Sequence, residues 1–406
     1  MSETVGIEYL RKKLEKVQPR AETRYKQYDM KYQEATYGIT IPASVRRIYR
    51  STIGWCAKAV DALADRLVFR GFANDQFDLM SIFQVNSPDI FFDSAILSAL
   101  ISSCCFVYIS EDDNLQRFQI IEGTNATGVI DPITYFLKEG YAVLKRDDQG
   151  NPVTEAYFLP EKTEIYRNGK KSESESKIHA CPYPLLVPII HRPDAKRPFG
   201  RARITRAAEY WQAYAKRTLE RADITAEFYS FPQKWVVGTS QNMKKMDTWK
   251  ATVASMLEFT KDEDGDSPNL GQFTAPSMAP FVDQLRIAAA GFAGETGLTL
   301  DDLGFVSDNP SSSEAIKASH ETLRTMARKA QRCFGAGFLN VGILAACLRD
   351  NFPYNREVFY DTEPKWQPVF EADAAALSLV GDGALKLNQA IPGYFDEDKL
   401  KDLTGI

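Results

Sequence analysis

The feature that most constrains this fold is one long helical run bounded by prolines. Ser311 to Arg349 contains no proline and reads as the longest helix of the chain, about 57 Å if straight. Its start is marked by Asn309-Pro310-Ser311-Ser312-Ser313-Glu314. There Ser311 is placed to cap the free first-turn N–H groups, and Glu314 to reach back as in a capping box and complement the helix dipole. Pro310 blocks propagation of the helix backwards. Leu298 to Asn309 is thereby predicted to be a polar, irregular, mobile loop between Gly294/Gly297 and a rigid cap. The first half of the helix is basic (Lys317, Arg324, Arg328, Lys329, Arg332), which predicts an end facing solvent or charge, and the apolar second half predicts a buried one. Gly335, Gly337 and Gly342 each cost up to about 1 kcal/mol in a helix, so a kink or a close neighbour is expected there. The most apolar part, Gly335 to Leu348, is about 14 residues long and carries Asn340, too short for a bilayer.

Ahead of this helix the period changes twice. Helical stretches are predicted over Glu8 to Lys31, with Tyr9, Leu10, Leu14 and Val17 as a thin apolar stripe, over Ser44 to Leu67 after a Gly38 to Pro42 turn, and over Phe91 to Leu100. Phe69 to Phe72 closes the second. Cys105 to Ser110, Phe118 to Glu122, Tyr141 to Arg146, Ala156 to Pro160 and Thr163 to Arg167 read as strands of one antiparallel meander, with turns such as Asn168-Gly169. Lys171 to Lys177 is a short Ser/Glu run, and Cys181 to Pro193 an extended segment leaving the sheet. Helices return at Arg203 to Tyr229 (about 27 residues, roughly 40 Å), Asp247 to Phe259, Pro276 to Gly294 and Ala372 to Ala390. A strand lies at Gln233 to Gly238 and an acidic loop at Lys261 to Pro268. The class expected is α+β.

The 406 residues suffice for two or three domains or one subunit with several lobes. With 49 Lys and Arg against 54 Asp and Glu, a net charge of −5 argues against a protein that grips nucleic acid tightly, though not against a surface that DNA slides past. Six cysteines without CxxC spacing read as buried reduced thiols, and MSETVGIEYLRKKLEK has no apolar region expected of a secretory signal. His179, His191 and His320 lack clustered ligand partners, so neither a metal nor another cofactor is expected. No GxSxG, Walker-type or GxGxxG motif is present. Asp262, Glu263, Asp264 and Asp266 lack the EF-hand register and read as a solvated or channel-facing acidic loop. Asp301-Asp302 has no base or metal partner that would make it a catalytic dyad. A non-enzymatic component of a larger assembly is expected, with an enzyme bearing a diffuse carboxylate site as the distant alternative.

Three segments carry a more specific signal. GLTLDDLGFVSDNPSSSEAIKASHETLRTMARKAQRCFGAGF (Gly297 to Phe338) resembles the tunnel loop and following helix of portal proteins of tailed bacteriophages, most of all siphovirus-type portals. YGITIPASVRRIYRSTIGWCAKAVDALADRLVFRGF (Tyr37 to Phe72) resembles their N-terminal region. FGRARITRAAEYWQAYAKRTLERADITAEFYSFPQKWVVG (Phe199 to Gly238) resembles their passage from glycine to helix to strand at stem and clip. The three occur in the family's order.

The resemblance implies an elongated subunit with a mixed α/β wing, a helical stem, a small α/β clip and a long kinked wing helix. It divides the chain into wing (1–200), first stem helix (201–231), clip (232–275), second stem helix (276–297), tunnel loop (298–310), long wing helix (311–350) and a short C-terminal wing or reduced crown region (351–406). It implies a ring of twelve copies at one capsid vertex of the virion, assembled in the host cytoplasm. Double-stranded DNA would pass through it during packaging and ejection. The implied partners are a terminase packaging motor, a head–tail adaptor and the major capsid and scaffold proteins, with no membrane. Another head–tail connector or capsid-morphogenesis subunit is the alternative from the same biology. Within this frame Leu298, Thr299, Leu300, Asp301, Asp302, Ser307, Asp308 and Asn309 form the tunnel loop. Its aspartates and the acidic clip loop are expected to repel the duplex, because each cation held on phosphate would add drag. Arg203, Arg206, Lys216, Arg217 and Arg221 of the first stem helix are expected to pair with acidic residues of the adjacent subunit, in preference to touching DNA.

Overall fold

The computed structural model describes residues 4–33, 50–230, 234–237, 269–274, 277–305, 318–370, 374–396 and 399–400. The turn at Gly38 to Pro42, the start of the helix read from Ser44, the helix read at Asp247 to Phe259 and most of the clip fall outside them, as do Ser311 and Glu314.

The chain begins with α1 (Ile7–Tyr28). Its apolar stripe is narrower than the sequence suggests, because Leu10 and Leu14 are buried while Tyr9 and Val17 face solvent. Ala21 is buried further along and Tyr25 and Tyr28 pack on the main core, and charge adds to this attachment. The Glu139 carboxylate accepts the amides of Val5 (2.7 Å) and Gly6 (3.1 Å) just ahead of the first turn, where free N–H groups and the helix dipole favour an anion. One turn further on, Arg11 grips buried Glu155 through Nε and Nη2, both at 2.9 Å, a fork geometry that fixes direction as well as distance.

Helices α2 (Trp55–Ala64), α3 (Leu79–Gln84) and α4 (Pro88–Ser102) follow, with β1 (Phe69–Ala73) after α2. Helix α4 buries Phe91, Phe92, Ala95, Ile96, Ala99 and Leu100, which share one broad face, with Ile101 buried at its end. Phe69 to Phe72, read as the close of a helix, is instead a strand. It pairs antiparallel with β12 (Glu363–Trp366), a partner almost the whole chain away that local sequence cannot reveal.

The β-rich region is two sheets, not the single meander expected. Strands β2 (Cys104–Asp112), β3 (Leu115–Glu122) and β9 (Leu186–Ile190) form one in the order β3-β2-β9. Strands β4 (Ala126–Ile130), β5 (Leu137–Arg146), β6 (Pro152–Leu159), β7 (Lys162–Arg167) and β8 (Lys170–Ile178) follow chain order in the other. One reading fails for an identifiable reason, and one segment left without a reading proves to be a strand. Proline made Leu186 to Ile190 look like an extended exit, yet Pro188 lies opposite Phe106 on an edge strand, where a missing N–H is tolerated. The Ser/Glu run is an edge strand with no apolar face, and Asn168 (φ 47°) and Gly169 (φ 76°) fold it back onto β7 through a primed hairpin turn.

The long helix is α7 (Glu321–Arg349), which the described residues begin ten positions later than Ser311. Among the described residues it alone is long and apolar enough to cross a membrane. However, 72% of its apolar window is buried inside the subunit, as in a core helix. Its glycines are explained by close approach. A Cβ on Gly335 would lie 2.8 Å from Pro364, one on Gly337 2.9 Å from Ile189, and one on Gly342 3.0 Å from Leu79. The helix therefore seats directly on β12, β9 and α3. Phe338 meets Phe92 (4.8 Å between centroids) and Phe69 (5.2 Å), inside an aromatic cluster that also takes in Phe83 and Trp366. After β12 comes α8 (Ala374–Ala390).

Two histidines make this core sensitive to acid. Burial pulls His179 down to about 4 and His191 to about 3. The His191 ring donates from Nδ1 to the Arg201 carbonyl at 2.7 Å, whereas neither ring nitrogen of His179 has a hydrogen-bond partner among the described residues. An unfolded histidine titrates near ~6.5, so between that pH and the folded values the unfolded chain binds protons that the folded chain refuses. Their contribution to stability is complete above about pH 6.5 and is lost as pH falls. Unfolding free energy is expected to drop by up to about 1.4 kcal/mol per pH unit for each histidine. Urea midpoints at pH 7, 6 and 5 measure this, and equal midpoints at pH 7 and 5 would contradict it.

Candidate functional site

The segments singled out by sequence converge on a helix pair and the turn that returns it to the core. Helix α5 (Arg206–Ser230) opens at Thr205, whose Oγ1 accepts the Ala208 amide (3.1 Å). Helix α6 (Ala279–Thr296) carries a proline in its first turn and ends at Gly297, whose φ of 67° and N–H to the Ala293 carbonyl form a left-handed cap. The two helices run antiparallel. Arg203, just before α5, reaches Thr296 at the end of α6, and further along Gly291 lies under the Trp211 ring, 2.3 Å from where a Cβ would stand.

Burial along the pair is graded. In α5 Ala208, Gln212, Ala215, Lys216 and Thr218 are buried, and no described residue beyond Thr218 is. In α6 the buried residues are Ala288, Ala289, Phe292, Ala293 and Thr296, all in its second half. The distal halves thus leave the core, and that of α6 keeps apolar groups in solvent, Val282 at 61% and Ile287 at 59% exposure. Beyond them β10 (Lys234–Val237) pairs antiparallel with β11 (Asn269–Gln272), where Leu270 and Phe273 are also exposed.

The basic residues of this region do not form one outward stripe. Arg203 precedes the helix and is buried; its Nε donates to the Ala59 carbonyl (3.1 Å) and its Nη2 to that of Thr296, and Nη1 lies 3.1 Å from Met326 Sδ. Burial pulls its pKa down to about 10, so it stays charged at neutral pH. Lys216 sits one turn after Gln212 on the same core-facing side, and its Nζ points to the Tyr32 carbonyl at 3.5 Å. Arg203 and Lys216 are therefore internal groups, which corrects the expectation that they face a neighbour. Arg217 is partly buried, and Arg206 and Arg221 are exposed.

The root of the pair depends on polar contacts that sequence reasoning missed. Gln212 accepts the first-turn amide of Cys56 (2.7 Å), capping α2 from a different helix, and donates to buried Gln27 of α1 (2.9 Å). A glutamine at a buried helical position is the only signal, and it does not name its partner.

The predicted loop is docked over its described part. Leu298 and Leu303 are buried, Leu300 and Phe305 pack on the core, and Asp301–Leu303 forms a turn of 3₁₀ helix. Asp302 accepts the amide and hydroxyl of Thr299, both at 2.9 Å, while the Asp302 amide donates back to Thr299 Oγ1 at 3.1 Å. This is the reciprocal capping pattern read for Ser311 and Glu314, found instead at a T-x-x-D spacing earlier in the loop. Asp302 consequently faces its own backbone, and only Asp301 of the two is exposed. Asp302→Ala is expected to cost about 1 kcal/mol locally and to accelerate amide exchange at Thr299. Asp301→Ala should leave that exchange unchanged; equal effects would contradict this division. Ser307, Asp308, Asn309 and the acidic residues Asp262, Glu263, Asp264 and Asp266 lie outside the described residues.

With this arrangement in view, similarity to known proteins is informative. The chain is 25% identical over 334 residues to the portal protein of Mycobacterium phage L5, covering 77% of this chain and 68% of that protein. It is 25% identical over 392 residues to the portal protein of Mycobacterium phage D29, covering 90% and 79%. No family model matches the chain. Among solved structures, a chain from the neck of an empty gene transfer agent particle superposes with a TM-score of 0.50 at 11% identity, covering 95% of this chain and 98% of that one. The chain is thus similar to siphovirus portal proteins over most of its length, as its three segments indicated, and its α+β fold is shared with that particle-neck subunit.

Proposed function

We propose that this chain is a structural portal subunit, which forms the ring-shaped DNA channel at one capsid vertex and serves genome packaging, head–tail joining and ejection. The observation that carries the reading, beside the sequence similarity, is the antiparallel α5/α6 pair. It leaves the core with its distal apolar groups in solvent and returns through an acidic turn to the long helix. Apolar groups such as Val282 and Ile287, left open on a projecting pair, call for cover by further copies of the chain. In this reading α5 and α6 are the stem, β10 and β11 belong to the clip, the segment from Leu298 is the tunnel loop and α7 is the wing helix. Twelve copies close the ring; a terminase motor and later a head–tail adaptor meet the clip, and capsid and scaffold proteins meet the wing.

The chemistry asked of such a channel is avoidance. A cation held on each phosphate would brake a moving duplex in a salt-dependent way. The turn that would meet DNA exposes Asp301, while Arg203 and Lys216 are withdrawn into the subunit. Asp301→Lys in heads assembled with this chain is expected to slow packaging, most strongly at low salt, with ring assembly intact. Packaging at the normal rate under all salt conditions would remove this turn from the channel.

A further inference from the structure

Where α1, the loop before α5 and the end of α6 meet, the subunit holds a cavity of about 600 Å³ that the portal reading does not use. Arg20, Arg24, Arg197, Arg201 and Arg206 line it. The opposing carboxylates are two, Glu209 and Glu295, and burial raises the pKa of Glu209 despite the surrounding arginines, which weakens it as a counterion. Asp194 pairs with Arg201 through Oδ2, at 3.0 Å from Nε and 2.6 Å from Nη2, while its Oδ1 accepts the amides of Lys196 (2.9 Å) and Arg197 (2.8 Å). Arg24 forms the floor, half-buried, with Nη1 held on the Ser102 carbonyl at 2.7 Å. Its pKa is pulled down to about 10, first by burial and next by repulsion from Arg20. Gly200 in the wall adopts a φ of 74° and packs on the chain's own backbone, since a Cβ there would stand 2.1 Å from the His191 carbonyl oxygen.

We infer that this cavity binds a small, multiply charged oxyanion of the phosphate class. Converging guanidinium groups short of counterions are the donor set that chelates phosphate oxygens in forked pairs. The volume admits a pyrophosphate-sized ligand. A free anion, and not the DNA cargo, is the ligand inferred, so the inference stands or falls independently of the portal reading.

The test is calorimetric titration of the assembled full chain with inorganic pyrophosphate at fixed ionic strength, for the native chain and for the double variant Arg20→Gln/Arg206→Gln. Both side chains are exposed, so the variant should keep the native melting temperature without ligand. Saturable binding weakened about tenfold or more in the variant, and unaffected by a short DNA duplex, is the expected result. Absence of saturable binding, or equal affinity in the variant, would overturn the inference. Displacement of pyrophosphate by the duplex would overturn it in favour of a backbone phosphodiester contact. Failure of the native chain to bind, together with loss of the oligomer in the variant, would assign the cavity to carboxylates of a neighbouring copy.

Discussion

Arg203→Ala is expected to lower the unfolding free energy by about 3 kcal/mol, the range for truncating a large buried side chain. Two losses add. A void opens between α2, the end of α6 and Met326, and the Thr296 carbonyl at the last residue of α6 is stranded without its charged donor. One gain opposes them, because burial already disfavours the charge, as its pKa of about 10 records. Arg203→Met keeps the packed stem and discards the charge, so it should cost clearly less than alanine. Urea unfolding of both variants separates packing from hydrogen bonding. Amide exchange over Thr296 to Gly304 should rise in both, because Arg203 ties this turn to α2. Equal, near-zero changes in the two variants would show that Arg203 does not hold the root of the helix pair.

Gly291→Val should cost nearly as much by the opposite mechanism. A Cβ at this position would stand 2.3 Å from the Trp211 ring, which is rigid and cannot yield by changing one torsion. The two helices must separate or the indole must leave the interface, an overpacking cost of about 1–3 kcal/mol. Gly291→Ala recovers about 1 kcal/mol of helix propensity, so its net effect should be smaller. Trp211→Leu combined with Gly291→Ala should restore part of the loss, and the double-mutant cycle gives the coupling directly. A fully additive cycle would contradict the contact.

These two sites show where the sequence was informative and where it was not. Periodicity and end signals located α1, α4, α5, α6 and α7, most of which bury a face, and α8 was legible from its alanines alone. Asn168-Gly169 was legible as a turn because its chemistry is local. Pairings set by distant residues were not legible. Phe69 to Phe72 is a strand only because Glu363 to Trp366 lies beside it, and Pro188 is tolerated only because its strand is an edge. Charge was the least legible property. Arg203, Lys216 and Asp302 read as surface groups, yet two are buried and the third closes a turn on Thr299, since composition does not say which backbone groups need a partner. Gly335, Gly337 and Gly342 were correctly flagged as costly, and the reason proved to be three packed neighbours.

The portal assignment predicts a specific assembly, and light scattering with negative-stain imaging of the purified chain tests it most directly. The account predicts closed rings with a central channel, in which the distal apolar groups of α6 are covered by neighbouring copies. A homogeneous monomer at every salt concentration, with Val282 and Ile287 left in water, would contradict it.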